Sequence, residues 1–536
     1  MKAGMALLLV LLTAGLAEGQ STARTVVLGT NLSSVVDYSS ELPFVDLMHS
    51  ARVWYTKDAE DPEWDGPWNT EMATQLAYRT DGYPTYLPQK VASQKYAQRV
   101  ATIWGETSAW PEGTWAVLWE GKGKLSMGGQ VLDVTSTSPN RLTFRYQRPA
   151  EGQNASVELV IETSDLADPV RRVRVLMPGT EATSEAQPFN PLWLKQLRLF
   201  STVRFMDWGA TNGWGQPDPW TWDDKTLFSW KQRATLDHYT WADGRGVPYE
   251  MMIRLMNEQQ LDGWVCVPHR ADPGYIAAMA ALFHAQVDPR RKLTVEYSNE
   301  LWNWMFGQAQ WLKKYGRPGV TWPENITGNI QDCLDTWTKE YGKDLGRLTR
   351  VVGLQTGWLD VSQRIAFNLR PGSFDAVAPA YYFGLSEAAD ASLDALGAKA
   401  TVADVANAVR KGWEVNEKPW MTAIHTQLAA KLGLPMVYYE GGQHLTPTPF
   451  GQEPTYAAAL LAIQRDPVMA VLYREWLAFV KTLGRVQDPL VLMNFAFVGG
   501  RSAQYGSWGI LESLDQDFDR IPAPKYQVLR ELMGKP

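Results

Sequence analysis

Two glutamates close apolar, strand-like runs: Thr294-Val295-Glu296-Tyr297-Ser298-Asn299-Glu300 and Met436-Val437-Tyr438-Tyr439-Glu440-Gly441-Gly442. Two carboxyl groups on either side of a bond are what glycoside hydrolysis needs. One protonates the leaving oxygen, and the other attacks the anomeric carbon or activates water. Alone, either glutamate reads more simply as a solvated loop charge or a charge at a helix start. The aromatic residues add weight to the pair. The 25 Trp outnumber 21 Tyr and 16 Phe, and an indole offers a broad apolar face on which sugar C–H faces stack. Any single Trp is as readily a core residue. The groupings are less ordinary: Trp214, Trp220, Trp222 and Trp230 share one Gly/Pro/Asp-rich stretch, and Trp302 and Trp304 follow Glu300 directly.

Other chemistries find no support. The chain has no Gly-rich loop followed by Lys-Ser/Thr and no Gly-x-Ser-x-Gly elbow. Its six histidines, at 49, 238, 269, 284, 425 and 444, lack metal-ligand spacing, so no metal and no cofactor are expected. A formal charge of −7 argues against nucleic acid as partner, because phosphate binding needs a basic surface. At the N-terminus Lys2, the apolar run Met5 to Leu16 and Ala17-Glu18-Gly19 predict a signal peptide over residues 1–20 and a secreted or periplasmic protein. That run is short for a membrane span, and no membrane anchor is expected. Two cysteines do not make a disulfide framework. Cys266, inside Gly263-Trp264-Val265-Cys266-Val267, reads as a small buried apolar group, and both thiols are expected free.

The elements that position the glutamates follow from periodicity. A strand near Val26 and a helix start near Ser39–Met48 come first. Runs at Thr202–Asp207, Trp264–His269, Leu293–Glu300, Val351–Thr356, Phe374–Tyr382, Pro435–Glu440 and Leu490–Phe497 are strand candidates. Amphipathic stretches at Pro273–Ala285, Gln331–Leu345, Val402–Val415, Tyr456–Val480 and Lys525–Met533 separate or follow them. Alternating strand and helix imply a parallel sheet with helices outside. Eight such units predict a (β/α)8 barrel over 21–55 and 186–536, with an open doubly wound sheet as the alternative. Between the first two units, residues 80–180 read as an inserted all-β sandwich, either like a carbohydrate-binding module or structural, with period-two runs at 114–119, 141–146, 155–162 and 170–176.

In such barrels the active site lies at the C-terminal strand ends, which puts Glu300 on strand four and Glu440 on strand seven. This pattern resembles clan A of the retaining glycoside hydrolases. The resemblance implies that Glu300 is acid/base and Glu440 nucleophile in a double displacement, with the carboxyls about 5–5.5 Å apart. It also implies that Asn299 contacts the sugar, that His269 faces it, and that an arginine supports the nucleophile. Arg204 is the candidate for that support, with Arg52 competing. Tyr381 or Tyr382 is implied as a hydrogen-bond partner of the nucleophile; period two admits one of them, and Tyr382 is favoured. Trp508, Trp302 and Trp208 complete the candidate sugar contacts, although Trp508 lies later in its loop than the clan pattern. Glu296, deeper in the barrel, reads as a salt-bridge residue. His444 and Gln443 could line the mouth or cap a helix. The expected partner is a β-linked polysaccharide or oligosaccharide. The rival readings are a non-catalytic glycan-binding protein on the same barrel and a polysaccharide lyase using Tyr and His.

Overall fold

The structure is a computed structural model and describes residues 24–63, 65–150, 153, 155–212 and 224–534. The expected signal peptide and Trp214, Trp220 and Trp222 lie outside these residues.

The parallel series begins with β1 (Val26–Asn31). Eight antiparallel strands follow: β2 (Tyr55–Asp58), β3 (Gln98–Trp104), β4 (Gly113–Glu120), β5 (Gly123–Gly129), β6 (Leu132–Ser138), β7 (Arg141–Tyr146), β8 (Val157–Ser164) and β9 (Arg171–Leu176). The series resumes with β10 (Thr202–Arg204), β11 (Asp262–Val267), β12 (Leu293–Tyr297), β13 (Leu348–Leu354) and β14 (Ala376–Pro379). Two short strands, β15 (Tyr381–Gly384) and β16 (Gly441–His444), precede the last, β17 (Leu490–Asn494).

Seven strands form one parallel sheet in the order β14-β13-β12-β11-β10-β1-β17. Their residues are buried on nearly every position, as in β14 and β11, because helices cover the outer face while the strands face one another inside. The two sheet edges are both engaged by one segment, 435–440: Met436 bridges Val377 of β14, and Tyr438 bridges Leu492 of β17, each in parallel sense. That segment takes the seventh place in a TIM-barrel-like ring. It is bent at Tyr439 and Glu440, then continues as β16, which pairs in parallel with β15.

Helices Pro273–Gln286 and Val402–Val415 stand close to where periodicity puts them. The stretch 456–480 divides instead into helices Ala457–Ile463 and Pro467–Thr482. Asp466 caps the second through Val468 N, and Pro467 fills its first turn, a helix start that apolar periodicity alone passes over.

The antiparallel strands form two sheets, β2-β3-β8-β5 and β6-β7-β4-β9. They begin at Tyr55, well before residue 80 where the sequence reading started the all-β part. The early strand β2 is followed by a long irregular stretch, which hid it. β6 is exposed along its whole length, so it carries no period-two signal. The β-block is not walled off from the barrel. One continuous hydrophobic cluster includes Trp104, Trp115 and Phe144 together with Trp193, Val203 and Leu492. Tyr83 meets Tyr239 edge-on at 5.8 Å, Trp104 Nε1 donates to Leu47 O, and Val175 N donates to Asp46.

Candidate active site

Glu300 sits three residues beyond the end of β12. Ser298 and Glu300 have φ of 58° and 43°, backbone that non-glycine residues adopt at a cost of about 1–3 kcal/mol each. This double reversal breaks the strand's period of two and lets Asn299 and Glu300 both turn toward the same space. The half-buried Glu300 carboxylate accepts from Tyr439 OH at 2.6 Å and from Asn303 Nδ2 at 2.8 Å.

Glu440 is 5% exposed. Its Oε1 accepts from Arg204 Nη1 at 2.7 Å and its Oε2 from Tyr382 OH at 2.9 Å. Burial pushes its carboxyl up to about 8; Arg204 and the Tyr382 hydroxyl pull it down, while the Glu300 charge raises it. Tyr382 and Tyr439 are held protonated, both raised by burial and by the neighbouring carboxylates, and so stay donors.

Arg204, on β10, is wholly buried and ties four side chains together. Its Nη1 also donates to Asn31 Oδ1 at 3.0 Å, and its Nη2 donates to Glu296 at 2.8 Å and to Asn299 Oδ1 at 2.9 Å. Burial alone would drive charge off the guanidinium; the surrounding acids, Glu296 and Glu440 among them, reverse this and keep it charged. The rigid fork of a guanidinium is suited to two carboxylates at once. Glu296 accepts in addition from Trp264 Nε1 at 2.9 Å and Cys266 Sγ at 3.6 Å. Cys266 is therefore a weak donor to this cluster as well as a buried apolar group; both cysteines are free. Arg52 pairs with Asp37 at 2.7 Å, so between the two candidate arginines the contact to Glu440 is made by Arg204.

Tyr382 and Tyr381 part company as period two requires. Tyr381 is buried against Gly441 and Tyr438. Trp508 is half-buried, with ring centroids 6.2 Å from Tyr382, 4.9 Å from His444 and 5.5 Å from Phe495. These four rings form an aromatic wall beside Glu440. His444 is exposed on that wall, whereas Gln443 is buried and donates to Ser507 O at 2.7 Å.

Three expected sugar contacts are placed otherwise. Trp208 is wholly buried against Phe44, Trp193 and Phe205; the short β10 ends at Arg204 and the chain turns inward. Trp302 is 4% exposed and packs edge-on against Tyr439, supporting the residue that holds Glu300. His269 is 1% exposed, with both ring nitrogens buried and unpartnered. Burial, with Arg270 adding, lowers it to about 3. All three rings are buried, and of them Trp302 touches the site, through Tyr439.

Tyr439, Asn31, Asp207 and Phe495 belong to the surroundings and were not singled out from sequence. Tyr439 neighbours Glu440, and a straight strand would send them to opposite faces; the bend at 439–440 brings both in. Burial pushes Asp207 up to about 6, opposed by Arg204 and by a hydrogen bond from Ser34, and its charge reaches Glu440. Among the described residues no three His, Cys, Asp or Glu side chains are grouped to hold a metal ion, and no helix is long and apolar enough to cross a membrane.

No protein-family model matches the chain, and no curated protein does. Solved structures similar to it include an arabinose-bound GH51 α-L-arabinofuranosidase at 9% identity, covering 92% of this chain and 78% of that one with a TM-score of 0.43. A xylanase 10C from Cellvibrio japonicus in complex with xylopentaose matches at 10% identity, 91% and 98% coverage and a TM-score of 0.33. A family 1 β-glucosidase from Thermotoga maritima matches at 11% identity, 64% and 85% coverage and a TM-score of 0.31. At such scores the functional reading rests on the side chains of the site.

Proposed function

We propose that the chain is a retaining glycoside hydrolase on a (β/α)8 barrel, with Glu440 as nucleophile and Glu300 as acid/base. The β-block is read as an insert that buttresses the barrel. The observation that carries the proposal is the asymmetric pair of carboxylates at the ends of strands four and seven. Glu440 is fixed by a guanidinium and a phenol that both favour its anion. Glu300 is half-buried, bonded only by neutral donors and open to the same space. A carboxyl held in place by partners that favour its charged form suits attack on an anomeric carbon, and a less constrained carboxyl suits proton exchange with the leaving oxygen and then with water.

In the first step Glu440 bonds the anomeric carbon as the glycosidic C–O bond breaks, and Glu300 protonates the departing oxygen. In the second, Glu300 takes a proton from water, which displaces Glu440 and releases the sugar. Arg204 and Tyr382 orient Glu440 throughout. A polysaccharide or oligosaccharide is the substrate class.

The test is a panel of polysaccharides and aryl glycosides with product analysis. Glu300→Gln is expected to lower kcat by about 10²–10⁴-fold, and Glu440→Gln to abolish turnover. Products followed by NMR at early times should keep the anomeric configuration. An inverted first product, or turnover indifferent to both substitutions, overturns the mechanism; binding without cleavage favours a glycan-binding protein.

A further inference from the structure

Four tryptophans outside the catalytic cluster form a connected series that starts in the loop carrying Glu300. Trp304 lies one residue after Asn303, the side chain that bonds Glu300 Oε2. Its ring is 4.4 Å from that of Trp322, and Trp322 is 5.4 Å from Trp358. Trp420 continues the line: it packs on Gly357, the residue before Trp358, so closely that a Cβ there would lie 3.3 Å from Trp420 Cε3. These indoles come from four separate places: the loop after β12, the approach to helix Thr327–Tyr341, the start of helix Leu359–Ala366, and helix Glu417–Ile424. Local sequence cannot account for their meeting.

The series is open to solvent where a core cluster would not be. Trp358 and Trp420 are each 41% exposed, and Trp304 and Trp322 are half-buried. Large apolar rings left exposed side by side mark a contact surface. Its start next to Asn303, the side chain that bonds Glu300, says what the contact is with. Glu300 protonates the leaving oxygen in the mechanism above, so a surface adjoining Glu300 lies on the leaving-group side. Tyr382, which carries the aromatic wall with His444, Phe495 and Trp508, bonds Glu440, and Glu440 bonds the other sugar. Aromatic surfaces on both sides of the cleavage point suit a bond inside a chain.

We infer that Trp304, Trp322, Trp358 and Trp420 form a stacking track that holds an extended glycan on the leaving-group side, so that the enzyme cuts within polysaccharides. The inference takes its polarity from the glycosidase reading, but binding by the track is separable from catalysis.

The experiment uses the full chain carrying Glu300→Gln, run in native gels containing xylan, mixed-linkage β-glucan or arabinan, with and without Trp358→Ala or Trp420→Ala. At least one polysaccharide is expected to retard the parent. Each exposed indole removed should weaken retardation by about tenfold, the usual scale for truncating a Trp at a binding surface. In the catalytically intact chain, the ratio of kcat/KM on polymer to that on the matching p-nitrophenyl glycoside should fall by a similar factor. Retardation unchanged in both variants, or absent with all three polysaccharides, overturns the inference. So does a dimer in size-exclusion chromatography that either substitution makes monomeric, which would assign the track to a second copy. Track-dependent retardation without cleavage by the intact chain would instead sink the glycosidase reading and leave the track standing.

Discussion

In the proposed mechanism Glu440 must be ionised to attack, and it is placed where burial opposes ionisation. Its pKa is pushed up to about 8, against about 4.3 for a free glutamate. Arg204 and Tyr382 bond the charged form and so lower it. Removing the Tyr382 hydroxyl takes away one of these and moves the pKa further up. Tyr382→Phe is therefore expected to carry the acid limb of the kcat/KM profile to higher pH. At a fixed pH below that limb, activity should fall about tenfold for each pH unit the limb moves. A limb that stays in place would show that the phenol does not support the ionised nucleophile. Replacing Arg204 is a harsher change. It leaves Glu296 buried without its cation, a loss of about 3–5 kcal/mol by itself, so Arg204→Met should lower the melting temperature as well as activity. Circular dichroism melts read the first effect separately from the second. The choice between Arg204 and Arg52 could not be made from sequence, because both lie near strand ends. It depends on which side chain crosses the barrel, and Asp37 engages Arg52 instead.

At the scale of elements, the site depends on how closely the sixth and seventh positions of the ring approach. Gly441 follows Glu440 and pairs with Tyr381 across β15 and β16. A Cβ on Gly441 would lie 2.1 Å from the Tyr381 ring, which is too near for any side chain. Gly441→Ala is expected to cost about 1–3 kcal/mol in stability through overpacking and to lower kcat further by displacing Glu440. Urea denaturation and turnover measured on the same preparation check both. The strands themselves were legible because apolar runs buried on both faces are long and clear. The irregular ends were not. The bend at Tyr439–Glu440 and the positive φ of Ser298 and Glu300 break the period on which a reading of inward and outward faces relies. For this reason Tyr439, which bonds Glu300, was overlooked. Trp208 and Trp302 were misplaced for a related reason: a Trp after a strand looks the same in sequence whether the chain then turns inward or outward.

At the scale of the whole molecule, the helix Pro524–Leu532 reaches the aromatic wall beside Glu440 through Lys525. Lys525 is 5% exposed, and its ammonium donates to Ser507 O, next to Trp508, at 2.7 Å. Burial lowers its pKa to about 7, with Glu512 opposing. A lysine depressed in the fold loses stability as pH falls from its unfolded value, near 10.4, toward 7, because the unfolded chain takes up the proton first. Lys525→Met should therefore be more stable than the parent at pH 7, with the gap narrowing toward pH 10, as read by denaturant titration at both. The shared hydrophobic cluster of barrel and β-block has a further consequence. Elements packed into one core lose their packing together, so calorimetry should show a single cooperative transition and not two. Excising residues 55–176 would take Trp104 from Leu47, Val175 from Asp46 and Gly82 from Trp54, and should leave the barrel unable to fold. Such a block cannot be exchanged between proteins as a ready-made cassette. An engineer who wants a smaller protein will have to redesign the seam before removing the insert.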